Sequence, residues 1–591
     1  MKTVLKFSKI MLVLFLSANF LLNAQERKNV IILIPDGTGI PVLTLSRWYQ
    51  GYVNGNIKHL PPLAVDPYIC GLVKSHSSNA PIGDSAPTSS WYASGVASRA
   101  SYISMYPPVD IEKDLVELDH TKAYQPLMTV LEAAKLSGMS TGIVITCDFT
   151  HATPADFAAH WHSRGNSDIL ADQMVYNQID VVFGGGTEYL SKENEEYLLS
   201  QKYEIVKNDL IGFRNISETT STKAFALFND ADMSYDFDRD EDKEPSLAEM
   251  TEKALNILSK NENGFFLMVE GSKVDWANHS NDPIGAISEF LAFDKAVQKS
   301  IDFAQNFKER ETVVIVVPDH ATGGIAFGSA RMPNYANFSL KEFFEPLVQW
   351  KKTSVGIAND LAKDFKEDAT FIQQELNKAN PTLELTDEEI ADFISAYKTE
   401  STRSLASRFT PIIVKIINSR SFVGYTTFGH TGEDLFLAIY DKSKEHPTGV
   451  IRSEVINNYM CKSLSLIDDN GNTTLNDSTD KYFAKHFEVF ENCDVSLIKN
   501  DSIYKWDNNK KTFVNPKLIN KKKFSEALGN SNNDRKPNYS LIVNKGKYNF
   551  EIPAYKNYYY LNGKKQQLKS VTIYVDRNST FYLPKELALI K

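Results

Sequence analysis

Continuously apolar, β-branched runs alternate with helical patterns from Asn29 to about Leu466. In "NVIILIP", "STGIVITC", "GFFLMVEG" and "TVVIVVPDH" nearly every position is apolar rather than every second one, and "DVVFGGG" is a weaker fifth run. Strands written this way are buried on both faces, so the pattern predicts an α/β domain around a mostly parallel central sheet with helices on both faces. A long interval of helical character, Tyr335 to about Ser419, precedes "FGHTGEDLFLAIYD" and reads as a helical insertion near the sheet's working edge; within it Thr386 and Glu389 have capping-box spacing.

The polar, Gly/Asn/Asp-rich segment "DDNGNTTLNDSTD", residues 468–480, reads as a linker. Beyond it the chain turns Lys/Asn/Tyr-rich, and Asn562-Gly563 falls between two strand-like runs. The organisation expected is a catalytic-size domain over 25–467 and a small, mainly-β C-terminal module over 481–591. A length of 591 residues, more than one compact core usually absorbs, agrees with that division.

Residues 1–24 combine Lys2, Lys6 and Lys9 with an apolar stretch from Ile10 to Leu22 and a small residue at Ala24. This is the pattern of a secretory signal peptide cut before Gln25, and it predicts a secreted protein, periplasmic or at the cell surface of a bacterium. No later segment is long and apolar enough to span a bilayer. With 64 basic against 74 acidic residues the chain is not built to bind nucleic acid. If it handles phosphate anions it needs local positive charge, which metals can supply. The cysteines Cys70, Cys147, Cys461 and Cys493 show no CxxC spacing, and Cys461 with Cys493 is the one pairing to test.

In parallel sheets the residues just past the carboxyl ends of the strands gather at one edge, where ligands bind. Asp36 follows the first run; His151 and Thr153 follow the second; Glu270 closes the third, with Asp275 and His279 after it; Asp319 and His320 follow the fourth. Asp275 and His279 are four apart and face one way on a helical turn. With His320 and His430 of "FGHTGED" added to this pair, the set offers three imidazoles among carboxylates, a mixture suited to zinc, while the oxygen-rich group Asp36, Thr153 and Glu270 suits magnesium. The nucleophile candidate is Ser85 in "APIGDSAPTSSWYASG", placed where a helix can begin, with Pro87 in its first turn. There the outward N–H groups and the helix dipole favour negative charge. Each residue alone also has a plain structural reading: Asp36 opens a turn, Asp84 or Ser85 caps a helix, and Asp275 and His279 sit on a solvated face.

Six motifs in order, "IPDGTG", "GDSAPTSSWYASGV", "THATPADFAAHWHSR", "VEGSKVDWANH", "VPDHATGG" and "GHTGED", resemble the alkaline phosphatase family over roughly Lys28 to Leu466. The resemblance implies hydrolysis of phosphate monoesters, broad in specificity and serving phosphate scavenging, through a phosphoserine at Ser85. It further implies two zinc ions and one magnesium. Asp36 would bridge a zinc and the magnesium, Asp319 and His320 would complete that zinc with Ser85 as its reactive ligand, and Asp275, His279 and His430 would hold the other zinc. Thr153 and Glu270 would join Asp36 on magnesium, and Arg164 would clamp two phosphate oxygens. His151 stands where the best-known bacterial pattern has aspartate and Trp276 where it has lysine, which leaves metal preference, phosphate release and pH optimum open. A homodimer is implied by resemblance alone. The alternatives are a phosphodiesterase or other superfamily hydrolase with the same two-metal core, and a metal-holding binding protein without catalysis.

Overall fold

The computed structural model describes residues 27–330, 332, 334–466, 482–500, 502–518 and 538–589; the signal-peptide segment and the linker over 468–480 lie outside these. A ten-stranded sheet forms the centre, running in space from Gly449–Arg452 through Ile69–Lys74, Leu435–Tyr440, Thr312–Val316, Asn29–Pro35, Phe265–Gly271, Ser140–Asp148, Val181–Gly185 and Ala224–Phe228 to Glu204–Lys207. Only Leu435–Tyr440 runs antiparallel to its neighbours.

All seven residues of the central strand Asn29–Pro35 are buried. Val30, Ile32 and Ile34 join the apolar cluster on one face, Ile31 and Leu33 the cluster on the other. That is the physical reason its apolar run is unbroken. Each such side chain contributes about 1.5–3 kcal/mol by leaving water. One face is covered by helices that include Ser85–Ser94, Val130–Leu136 and Ser453–Ser463, the other by Leu247–Leu258 and the long helix Pro283–Asn306. Register aligns Ile34 with Glu270 and Leu33 with Val316, so the segments after these three strands emerge side by side. The reversed strand Leu435–Tyr440 begins where its neighbours end, which brings the preceding His430 to the same edge.

The helical interval consists of Leu340–Val348, Ser354–Lys363, Ala369–Ala379, Asp387–Lys398 and Leu405–Arg420. These pack into the apolar cluster that holds helix Pro283–Asn306. Thr386 and Glu389 form the reciprocal capping box their spacing suggested.

The C-terminal region is a seven-stranded antiparallel sheet and a three-stranded one. Asn562 and Gly563 make the two-residue turn between Tyr558–Leu561 and Lys564–Gln567, both with positive φ (48° and 79°), as a tight hairpin requires. Its apolar residues Leu541, Val543, Phe550 and Ile552 belong to the same continuous cluster as Val30 and Ile32. The module is therefore fused to the α/β body through shared core rather than tethered beside it. The pairing of Cys461 with Cys493 does not form: all four cysteines are free thiols, Cys461 buried 3.8 Å from Asn457 Oδ1 and Cys493 beside the Glu491 carbonyl. Among the described residues no helix is long and apolar enough to cross a membrane.

Candidate metal centre and nucleophile

Ser85 is the first residue of helix Ser85–Ser94, all ten residues of which are buried. Asp84 occupies the N-cap position in extended conformation (φ −142°, ψ 151°) but makes no capping hydrogen bond. Its carboxylate instead receives Arg164 Nη1 at 2.8 Å, so the capping explanation of this acid does not hold. Gly83 lets the turn press close: a Cβ there would stand 2.8 Å from Thr88 Cγ2 and 3.2 Å from His320 Cβ. The Ser85 hydroxyl ends 3.2 Å from His320 Nε2.

Around that hydroxyl the strand ends deliver three groups of donors, the atoms within each lying within 4.8 Å of one another. The first joins Asp36, Asp275 and His320; the second Asp275, His279 and His430; the third Cys147, His151 and Glu270. Asp275, shared by the first two, makes them neighbours. His279 Nε2 lies 3.0 Å from His430 Nε2 and 3.4 Å from Asp275 Oδ2, and the His320 and His430 rings stack at 3.9 Å. Two imidazole nitrogens that close share one proton or one cation.

Backbone groups orient the ligating nitrogens. His279 Nδ1 faces the Phe428 carbonyl at 2.5 Å, and His430 Nδ1 faces the Gly83 carbonyl at 2.8 Å, leaving Nε2 of each ring for the centre. Asp319 Oδ1 accepts from the Gly37 and His320 N–H groups. A glycine follows Asp36 because the backbone must turn sharply there against the helix that carries Asp275. The φ of Gly37 is +63°, and a Cβ would come within 2.7 Å of Asp275 Cα.

Asp36 Oδ1 and Oδ2, Asp319 Oδ2, Glu270 Oε1, Thr153 Oγ1 and His151 Nδ1 are buried with no hydrogen-bond partner. Burial pushes the Asp36 carboxyl well above its usual range, and the charges of Asp319, Asp275 and Glu270 push the same way. Burial carries Glu270 up to about 7 and Asp319 up to about 6. Burial and His430 hold His320 down at about 3; burial, Arg164 and His320 lower His151. Oxygens that are dry, like-charged and unpartnered are costly for any protein chain, and cations remove that cost. By this test the donor set fits metal ions.

Arg164 spans Asp84 and His151, its Nη2 2.9 Å from His151 Nε2, and the Trp276 ring meets that imidazole edge-on at 5.7 Å. All twelve residues singled out in the sequence thus lie at one edge of the sheet or against residues that do. Two neighbours carried no signal of their own. Thr322 Oγ1 donates to Asp275 Oδ1 at 2.5 Å and lies 3.3 Å from His320 Nδ1; it stands inside the "VPDHATGG" motif. Cys147 Sγ lies 3.4 Å from Glu270 Oε2, a contact between two strands that no local spacing reveals.

The sequence matches the family model described as alkaline phosphatase over residues 27–466. It is 34% identical over 456 residues to alkaline phosphatase 3 of Bacillus subtilis, covering 75% of this chain and 90% of that protein. It is 30% identical over 353 residues to the alkaline phosphatase of Escherichia coli, covering 51% and 71%. The crystal structure of a cold-active alkaline phosphatase from Shewanella superposes with a TM-score of 0.62 at 27% identity, covering 74% of this chain and 99% of that one. The chain belongs to the alkaline phosphatase family of metal-dependent phosphomonoester hydrolases.

Proposed function

We propose that the reaction proceeds by two in-line displacements through a phosphoserine at Ser85, at a centre of two zinc ions and one magnesium. The observation that carries this reading is the Ser85 hydroxyl at the start of a buried helix, 3.2 Å from His320 Nε2 and beside the Asp36, Asp275 and His320 donors. Asp36, Asp319 and His320 would hold one zinc next to Ser85, and Asp275, His279 and His430 the other. Asp36, Thr153 and Glu270 would hold magnesium, with His151 against it and Trp276 setting the His151 ring. When bound, these ions supply the positive charge that stabilises the serine oxygen and the departing alcohol oxygen.

The chain's own groups do the remaining work. Ser85 Oγ attacks phosphorus, and first-turn N–H groups together with the helix dipole face the charge on the equatorial oxygens. The planar fork of Arg164, anchored by Asp84, takes two of those oxygens, which favours a terminal, dianionic phosphate over a diester. Water then attacks the phosphoserine from the face the alcohol vacated, so configuration is retained. Broad specificity, phosphate scavenging and export by the N-terminal segment complete the proposal.

Ser85→Ala tests it. Turnover of 4-nitrophenyl phosphate should fall by about three or more orders of magnitude while metal content stays at the wild-type level. Undiminished turnover rejects the nucleophile. Faster cleavage of bis(4-nitrophenyl) phosphate than of the monoester would favour the diesterase alternative.

A further inference from the structure

The match to the family ends at residue 466, yet the C-terminal module reaches the segment that carries Arg164. Strands Ile573–Val575 and Thr580–Pro584 form a hairpin whose tip, 576–579, abuts the α/β body. Asp576 Oδ1 lies 2.7 Å from His162 Nε2, two residues before Arg164. Asn578 Nδ2 donates to the Ala123 and Tyr124 carbonyls at 3.3 and 3.4 Å. Tyr555 meets the buried Trp161 ring edge-on at 5.8 Å.

These contacts brace the two loops that carry the Arg164 backbone. Trp161 and Ile103 exchange N–H and carbonyl groups, and Arg164 N donates to the Ser101 carbonyl at 2.7 Å. Ser101, Ser104 and Tyr124 all hold positive φ (70°, 35° and 61°), conformations that persist only where surrounding contacts impose them. Asp84 and His151 fix the guanidinium, but its side chain is still 27% exposed and its backbone rests on loops rather than on a strand.

We propose that the hairpin tip, through the Asp576–His162 pair, positions Arg164 and so sets how tightly the centre holds the phosphate group of substrate and product. The module is then part of the phosphate site at one remove. This rests on the reading of Arg164 as the phosphate clamp.

The test uses the full-length, metal-loaded enzyme, measuring kcat and KM for 4-nitrophenyl phosphate, inhibition by inorganic phosphate, and melting. Arg164→Ala should raise KM and the phosphate inhibition constant by about tenfold or more. Asp576→Ala should raise both by about threefold to fivefold, the scale of a partly exposed hydrogen bond, with kcat within about twofold. Lys556→Met removes a different docking contact, the buried pair with Asp172 and the partly exposed pair with Glu193, so it should lower the melting temperature and leave both constants unchanged. In an Arg164→Ala background, Asp576→Ala should add nothing. An unchanged KM in Arg164→Ala overturns the clamp itself. If Arg164→Ala responds while Asp576→Ala does not, or if the two effects simply multiply, the positioning role is overturned and the clamp survives.

Discussion

Two buried acids in this molecule, Glu132 and Asp36, have the same exposure and opposite electrostatics. Glu132 is 2% exposed and Asp36 0%. Glu132 accepts from the Thr129 N–H, from Asn177 Nδ2 at 3.0 Å and from His160 Nε2, whose Nδ1 faces the Ser104 carbonyl. Burial pushes its pKa up, but His160 and these donors outweigh it, and the net shift is downward. The His160 pKa moves up for the matching reason. Asp36 has burial and three like charges and no donor, and its pKa moves the other way. One site is electrostatically complete within the chain; the other is complete only with cations. Burial alone therefore does not mark function, whereas a cluster of buried like charges without partners points to it.

The largest test of that contrast is metal removal. Chelation should abolish activity, and readdition of zinc with magnesium should restore it. The sign of the pH effect follows from the raised carboxylates: Glu270 and Asp319 release protons in the unfolded chain near pH 4 but in the metal-free fold only near 7 and 6, and burial moves Asp36 well upward in the same sense. Their favourable share of stability is full below pH 4 and lost as pH rises through that window. His320, held at about 3, acts in the opposite sense, its share lost as pH falls below 6.5. His151 is lowered as well, so three acids stand against two imidazoles; the balance still lies with the acids, and the melting gap between loaded and chelated protein should widen from pH 5 to pH 7.5. A constant gap would refute the assignment.

Next in size is Glu132→Ala, which strands a buried imidazole and the Asn177 amide. It should cost about 3–5 kcal/mol by denaturant unfolding while the metal content of the folded protein stays normal. Loss of metal from that variant would break the contrast, because it would couple the two sites. Smaller again is Gly37→Ala, whose positive φ and close approach to Asp275 predict a cost of about 1–3 kcal/mol. Unlike Glu132→Ala it should also lower metal content, measured by elemental analysis.

The α/β architecture and the edge residues were legible because each depends on local pattern. A strand buried on both faces must be apolar throughout, and in a parallel sheet the residue after it falls at a known edge. Asp36, Glu270, Asp275 and Asp319 could therefore be read one strand at a time. His430 needed the further fact that the strand following it runs backwards, which register alone shows. Asp84 looked like a helix cap, the commoner fate of an acid before a helix, because its real partner Arg164 is 80 residues away. Cys461 and Cys493 offered a pairing by compartment and count, but a disulfide needs two thiols brought face to face, and here they lie against Asn457 and Glu491.

The chain's order of apolar runs and polar stops by itself determined which residues reach the working edge, since side-chain periodicity and strand direction are properties of a few consecutive residues. Only the tertiary structure decided which of them face one another, that Cys147 and Thr322 stand among them, and that the C-terminal hairpin rests against His162. Those contacts join segments far apart in sequence, and their existence depends on how whole layers pack, a quantity no local pattern contains.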